Sequence, residues 1–235
     1  EEENEWFLNL LETFTTSTKD DKLKDLILQA YEYAEGAPDP EELLDKVAED
    51  FALEAEQTID DCKWFSFIRE GVQNQVDYAL YQLRKAFLFS DGGEFEGYHT
   101  LLGKEVEMLE NLQNVLDKPY ADWRLAYVAV DFARLPAYKG QEKEWAERIK
   151  ELRNDAKDTL KKLGEVYFSH NSEMQAKLIR QLYPVVQALA KLTKLFMKAF
   201  AEAKREKNVV DFTDYEHFAL RLLVDETGKP TEIAD

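Results

Sequence analysis

A chain of 235 residues with 45% apolar and 12% aromatic composition is long enough to bury one sizeable core or two small ones, and one elongated domain is the expectation. No run of about 18 uncharged apolar residues occurs, which excludes a membrane-spanning helix. A net charge of −18 argues, as a total, against nucleic acid, because affinity for a polyanion comes chiefly from Lys and Arg neutralising phosphates.

Taken in chain order, apolar residues recur at three- and four-residue steps almost throughout. This is the pattern of helices with one buried stripe and predicts an all-α chain of about nine or ten helices. The N-terminal EEENEWF has neither the basic start nor the apolar stretch of a secretion signal and no initiator Met, so the expectation is an excised piece of a longer protein. Clear stripes follow at Trp6, Phe7, Leu10, Leu11 and Phe14, at Leu23, Leu26, Ile27, Ala30 and Tyr31, and at Leu43, Leu44, Val47 and Phe51. Asp39 before Pro40 reads as a helix start, an acceptor side chain at the cap and a ring that fixes φ in the first turn. From Thr58 to Phe89 the stripe Phe65, Ile68, Val72, Val76, Ala79, Leu83, Phe87 predicts one long helix, weakened at Gly71. The single Cys62 cannot form an internal disulfide and is expected to be buried and inert, which points to the reducing cytoplasm.

Between Ser90 and Gly103 four glycines predict a mobile loop. Helices resume near Lys104 with Val106, Leu109, Leu112 and Leu116, and Pro119 opens a short helix carrying Trp123 and Tyr127. A second loop is bracketed by Pro136 and Gly140. Beyond it the expected helices are Lys143 to Tyr167, Ser172 to Tyr183, Pro184 to Lys207, and a last one capped by Asp211.

Charge is polarised along the chain. Residues 1 to 100 carry 8 basic against 25 acidic residues, a balance of −17, whereas residues 175 to 207 carry 8 against 2, a balance of +6. On the helix from Pro184, Leu189, Leu192, Phe196, Phe200 and Ala203 share one face. Lys191, Lys194, Lys198 and Arg205 fall within about 60° of one another opposite it, a cationic ridge roughly 20 Å long. Such a ridge can track a phosphate backbone without reading bases. It is equally the solvated face of an amphipathic helix. The segment ARLPAYKGQEKEW offers Arg134, Tyr138, Lys139, Lys143 and Trp145, cations with aromatics that can stack on bases, against the reading of a loop pinned by Trp145 in the core.

Catalytic motifs are not found. Gly97 to Gly103 with Lys104 has five residues between its glycines instead of the four of a phosphate loop, and Glu105 follows where a Ser or Thr would reach magnesium. Glu96 with His99 and Asp214 with His217 each place a carboxylate and an imidazole three residues apart, the half-sites of a carboxylate metal bundle. Glu96 to His99 lies among glycines where a helix is not expected, and His170 has no partner at ligand spacing. Surface or capping roles, and no metal, are therefore assigned to the three histidines.

The stretch NVVDFTDYEHFALRLL (Asn208 to Leu223) resembles the D-F-x-D-L segment by which a helical insertion of UvrD-like superfamily-one helicases re-enters the first motor domain. Asp211, Phe212 and Asp214 match, and Tyr215 stands for Leu. LKDLILQAYEYAEGAPDPEELLDKV (Leu23 to Val47), ARLPAYKGQEKEW (Ala133 to Trp145), LGEVYFSHNSE (Leu163 to Glu173) and GKPTEIAD (Gly228 to Asp235) resemble landmarks of the AddA (RexA) helicase-nuclease family. The resemblance implies a helical accessory domain at 1–207 and a segment at 208–235 returning to the motor domain and stopping before the Walker B strand. It also implies a parent that uses ATP and Mg to unwind DNA in double-strand break repair by homologous recombination, with duplex or forked DNA as substrate and a second subunit of the AddB (RexB) type as partner. No cofactor or catalytic residue is expected within this stretch. Asp211, Phe212 and Asp214 are read as a structural junction in which Asp211 caps a helix, Phe212 anchors it against the motor core and Asp214 favours the positive dipole end. A helical module that contacts a partner protein through its acidic first hundred residues is the alternative.

Overall fold

The computed structural model describes residues 21–225 and 229–234, and the expected stripe from Trp6 to Phe14 and the start of the tail at Gly228 lie outside them. Eight α-helices form among the described residues: α1 (Asp21–Glu35), α2 (Pro40–Glu49), α3 (Phe65–Phe89), α4 (Glu96–Gln113), α5 (Tyr120–Val128), α6 (Lys143–Tyr167), α7 (Ser172–Lys207) and α8 (Phe212–Leu223). Among these residues the only β pairing is an isolated bridge between Val224 and Pro230. The chain divides into two compact units, Glu1–Ala52 with Leu178–Asp235, and Leu53–Lys177.

The Leu53–Lys177 unit is built on α3, which packs along both α4 and α6. Its stripe Phe65, Val72, Val76, Ala79, Leu80, Leu83 and Ala86 is buried against Leu102, Leu109 and Leu112 of α4 and Ile149, Leu152, Ala156 and Leu160 of α6. Burying an aliphatic side chain of this size is worth about 1.5–3 kcal/mol relative to exposure. An aromatic seam closes one end: Trp123 stacks on Phe65 at 4.9 Å between centroids, and Tyr127 stacks on Phe168 at 4.5 Å. The Tyr120 hydroxyl reaches the carbonyls of Tyr167 and His170 at 2.6 and 2.7 Å, and burial raises its pKa. The LGEVYFSHNSE landmark is therefore what this seam closes on. Gly164 is required there, because a methyl group at that position would collide with the Tyr127 ring.

One ion pair lies inside this unit. Arg153 grips Glu105 with two nitrogens, its Nε 2.8 Å from Oε2, while both side chains are almost fully enclosed at 6% and 2% exposure. The same guanidinium donates to the Ala133 carbonyl at 2.6 Å and lies over the Phe132 ring. Burial pushes the Glu105 pKa upward against the opposing pull of Arg153. The pair thus fixes the irregular segment between α5 and α6 to the helical core.

In the other unit α7 is the centre. Leu23 of α1 packs with Ala188, joined by Ile27, Val185, Leu189 and Leu192, while Ala34, Leu44 and Ala48 gather on Ala190 with Val186 and Met197. Tyr31 sets its ring edge-on to Phe196 and Phe200 at 5.4 and 5.8 Å. Helix α2 begins as its sequence dictates, with Asp39 accepting the Glu42 amide at 2.9 Å and Pro40 in the first turn.

Four expectations are corrected. The long helix starts at Phe65, not Thr58, because the Thr58–Asp61 capping box opens only a short 3-10 turn over Ile59–Asp61, which ends where Cys62 takes an extended backbone. The predicted loop from Ser90 to Gly103 shrinks to its first residues and a 3-10 turn over Gly93–Phe95, and α4 starts at Glu96. Gly97 and Gly103 stay helical because they let Pro136 and the Phe87 ring approach, while Tyr98 and Leu102 bury their side chains. Pro184 does not divide α7, although it removes one backbone hydrogen bond, because the flanking Ile179, Ala188 and Ala190 are buried. That undivided helix, with the N-terminal stripe outside the described residues, leaves eight helices among the described residues, where nine or ten were expected of the whole chain.

Candidate nucleic-acid interface

Lys191, Lys194, Lys198 and Arg205 share α7 within the unit that includes Leu178–Asp235. Lys191, Lys198 and Arg205 are exposed. Lys194 is half-buried, and its Nζ sits 2.6 Å from Oδ1 of Asp45 on α2. Asp45, Glu49, Lys191 and Lys194 line a cleft of about 270 Å³. Lys198 lines a second one of about 540 Å³ with Asp39, Glu41, Lys204, His217 and Arg221 among its walls.

Lys204 lies off the angular position of the ridge, yet it carries the densest charge chemistry of this unit. It lies on the packed side of α7, 14% exposed, with its Nζ 2.9 Å from Asp211 Oδ2, 2.8 Å from Asp214 Oδ1 and 5.0 Å from the Phe200 ring centroid. Burial pulls its pKa down, but hydrogen bonds to Asp214 and Asp211 outweigh this and hold it above the ordinary lysine value. The Lys204 hydrogen bond in turn holds the Asp211 carboxyl below its usual range. Asp211 and Asp214 also form a reciprocal cap on α8, each side chain accepting the other's backbone amide at 2.9 and 3.0 Å. A signal was available: a lysine at the angular position of the partly buried Met197 and Val186 lies toward the packed face and calls for a carboxylate partner.

Phe212 makes no comparable contact and is 90% exposed. Tyr215, Phe218, Leu222 and Leu223 are exposed with it, and α8 buries no side chain. Helix α8 is held by its cap, by Lys204 and by His217, whose Nε2 meets the Glu35 carbonyl at the end of α1 at 3.0 Å.

Arg134 and Lys139 belong to the Leu53–Lys177 unit and are exposed. The aromatics beside them are not equally available. The Tyr138 ring stacks on Phe95 at 4.9 Å, its hydroxyl donates to Glu94 at 2.6 Å, and it accepts the Glu142 amide. Trp145 is 49% exposed and touches Phe89 edge-on, so the loop is pinned by Tyr138 and by Arg153 at Ala133, not by Trp145 in the core.

Neither carboxylate–imidazole pair assembles a metal centre, and among the described residues no group of three or more His, Cys, Asp or Glu could hold an ion. His99 is on a helix, contrary to expectation, but its Nδ1 contacts Ser90 Oγ and the Phe87 carbonyl and its ring stacks on Phe87. His99 and His217 thus both satisfy carbonyls at helix C-termini. Cys62 is buried, and burial pushes its thiol pKa up to about 11, which keeps it protonated and unreactive. Among the described residues no helix is long and apolar enough to cross a membrane.

The class is an all-α domain with a partly neutralised cationic helix and an exposed apolar terminal helix. No family model matches the chain. Along nearly its whole length it is similar to bacterial ATP-dependent helicase/nuclease subunits of the A type: 33% identical over 99% of this chain to that of Bacillus cytotoxicus, 31% over 96% to that of Alkaliphilus oremlandii, and 27% over 100% to that of Listeria innocua. In each case the chain spans 19% of the relative's length. The resemblance to the AddA family thus extends over the whole chain and not only over its terminal motif.

Proposed function

We propose that this chain is the helical insertion of the first motor domain of an AddA-type helicase-nuclease, and that it guides duplex or forked DNA by contacting its backbone. The observation that carries this reading is the near-complete coverage of the chain by relatives that bear the ATP-dependent helicase/nuclease name. The parent would couple ATP and Mg to unwinding in double-strand break repair by homologous recombination, in the cytoplasm, with a partner of the AddB (RexB) type. The insertion itself contributes no catalytic group. Lys191, Lys194, Lys198 and Arg205 form the main backbone contact, with Arg134 and Lys139 as a second one.

The test is reversal of Lys191, Lys194, Lys198 and Arg205 to Glu in the parent enzyme, followed by DNA affinity and unwinding rate across a salt series. The log affinity of the unmodified enzyme falls with log salt by roughly 0.9 per phosphate contact, so the reversal flattens the slope by up to about 3–4. An unchanged slope and unwinding rate would remove the ridge from the mechanism.

A second reading, a protein-interaction module, is favoured by one feature. Phe212, Tyr215, Phe218 and Leu222 are exposed on one short helix. Under the first reading they face the motor core within the parent chain, with residues 208–235 as the returning segment. Under the second they face the AddB-type partner. Pull-down of that reconstituted partner by the parent enzyme, with and without Phe212→Ser and Phe218→Ser, separates the two.

A further inference from the structure

Resting on the reading of α7 as a phosphate-contacting ridge, we infer that α2 is a built-in competitor for the polyanion. It occupies Lys194 with the Asp45 carboxylate and lines the ridge with acid. Helix α2 carries Glu41, Glu42, Asp45 and Glu49 against a single cation, Lys46, which pairs with Glu42 at 2.7 Å. Asp39 and Asp50 flank it at the two caps. The helix is seated on α7 by Leu44 and Ala48 against Ala190 and by the Tyr183 hydroxyl, which donates to Glu49 at 2.8 Å. Three of the four ridge cations share cleft walls with this acidic segment: Lys191 and Lys194 with Asp45 and Glu49, and Lys198 with Asp39 and Glu41.

A phosphate that reaches Lys194 must replace the Asp45 carboxylate at 2.6 Å and then lie beside it. One anion is exchanged for another, and no condensed counterion is released for that contact. Lys194 therefore adds nothing to the salt slope while Asp45 holds it, so that of the upper bound of four contacts about three, or roughly 2.7 in slope, remain, and the carboxylates around Lys191 and Lys198 weaken these. The ridge is tuned to a weak, sliding hold, and what releases α2 from Lys194 would tighten it.

The experiment measures binding of the 235-residue chain to a short fluorescein-labelled DNA duplex by anisotropy between about 50 and 200 mM KCl. Asp45→Asn is expected to tighten binding on the order of tenfold near 0.1 M salt and to steepen the slope by about 0.9, the signature of one added contact. Adding Lys194→Ala should abolish both gains. Glu42→Gln removes the same charge from α2 at a residue paired with Lys46, and should produce no such steepening. The Asp45 side chain is 61% exposed, so neutralising it leaves the core intact, and Asp45→Ser serves as an independent neutral variant.

Equal affinity and slope for the unmodified and Asp45→Asn chains, with weakening on reversal of the ridge, would overturn the competitor and leave the ridge in place. Equal tightening by Asp45→Asn and Glu42→Gln, or a gain that survives Lys194→Ala, would reduce the effect to net charge and overturn it as well. If no variant binds duplex and ridge reversal changes nothing, this inference and the reading beneath it fail together.

Discussion

The two units of the chain handle charge in opposite ways. Between Leu53 and Lys177 the central ion pair, Glu105 with Arg153, is enclosed, bidentate and joined to the Ala133 carbonyl, and it organises a core sealed by stacked aromatics. In the unit containing Leu178–Asp235 the Lys194–Asp45 pair opens to solvent, its Asp45 side chain 61% exposed, while Lys204 sits on the packed side of α7 against the more exposed Asp211 and Asp214. Buried charge has no alternative partner and fixes structure. Charge at the surface keeps water and counterions as competitors and stays exchangeable. The lesson is that the first unit commits its central ion pair to internal order, and the second leaves the Lys194–Asp45 pair within reach of water and counterions.

The contrast breaks most visibly at Glu105. Glu105→Ala leaves the Arg153 guanidinium enclosed without a counterion, and a loss of about 3–5 kcal/mol in urea unfolding is expected. The double change Glu105→Leu with Arg153→Met should recover most of it. If the single variant unfolds at the unmodified urea midpoint, the buried pair does not organise this unit.

Smaller effects are expected at the clasp. Asp211→Ala removes a helix cap and one of the two Lys204 partners, costing about 0.5–2 kcal/mol and fraying α8 alone. The pH dependence has a fixed sign. Because Lys204 holds Asp211 below its ordinary value, this stabilisation is complete above the usual Asp pKa of about 3.9 and is lost as pH falls through the lower folded value. Hydrogen-exchange protection of α8 amides, corrected for intrinsic rates, should therefore fall in acid before that of α3 does. Uniform loss in both helices would show that the clasp is not independent. The smallest change belongs to Phe212→Ser, expected within about 0.5 kcal/mol of the unmodified chain because the ring is almost fully exposed. A larger loss would show that the ring supports this fold after all.

Much of the helical skeleton was legible residue by residue. Asp39 before Pro40 supplies a cap and a pre-set φ, and α2 starts there. The stripe Ala146, Ile149, Leu152, Ala156, Leu160, Leu163 needs only the 3.6-residue period, and α6 runs from Lys143 to Tyr167. Punctuation residues misled. Gly97, Gly103 and Pro184 disfavour helix locally, yet all three are helical because the packing of Tyr98, Leu102, Ile179 and Ala188 outweighs a local cost. For the candidate site, the spacing that groups Lys191, Lys194, Lys198 and Arg205 is a one-helix property. The positions of Asp45 against Lys194, Tyr138 against Phe95, and Lys204 between Asp211 and Asp214 are not all of that kind.

What the amino-acid order by itself determined is the all-α class, most helix starts, and the one-sided placement of the ridge, since each follows from periods and caps confined to a few neighbouring residues. What only the tertiary structure decided is which charges remain available. Asp45 and Lys194 are 149 positions apart, and no local rule relates them. The Coulomb energy of a cation depends on its neighbours in space, and those are set by how α1 and α2 bury their apolar stripes on α7.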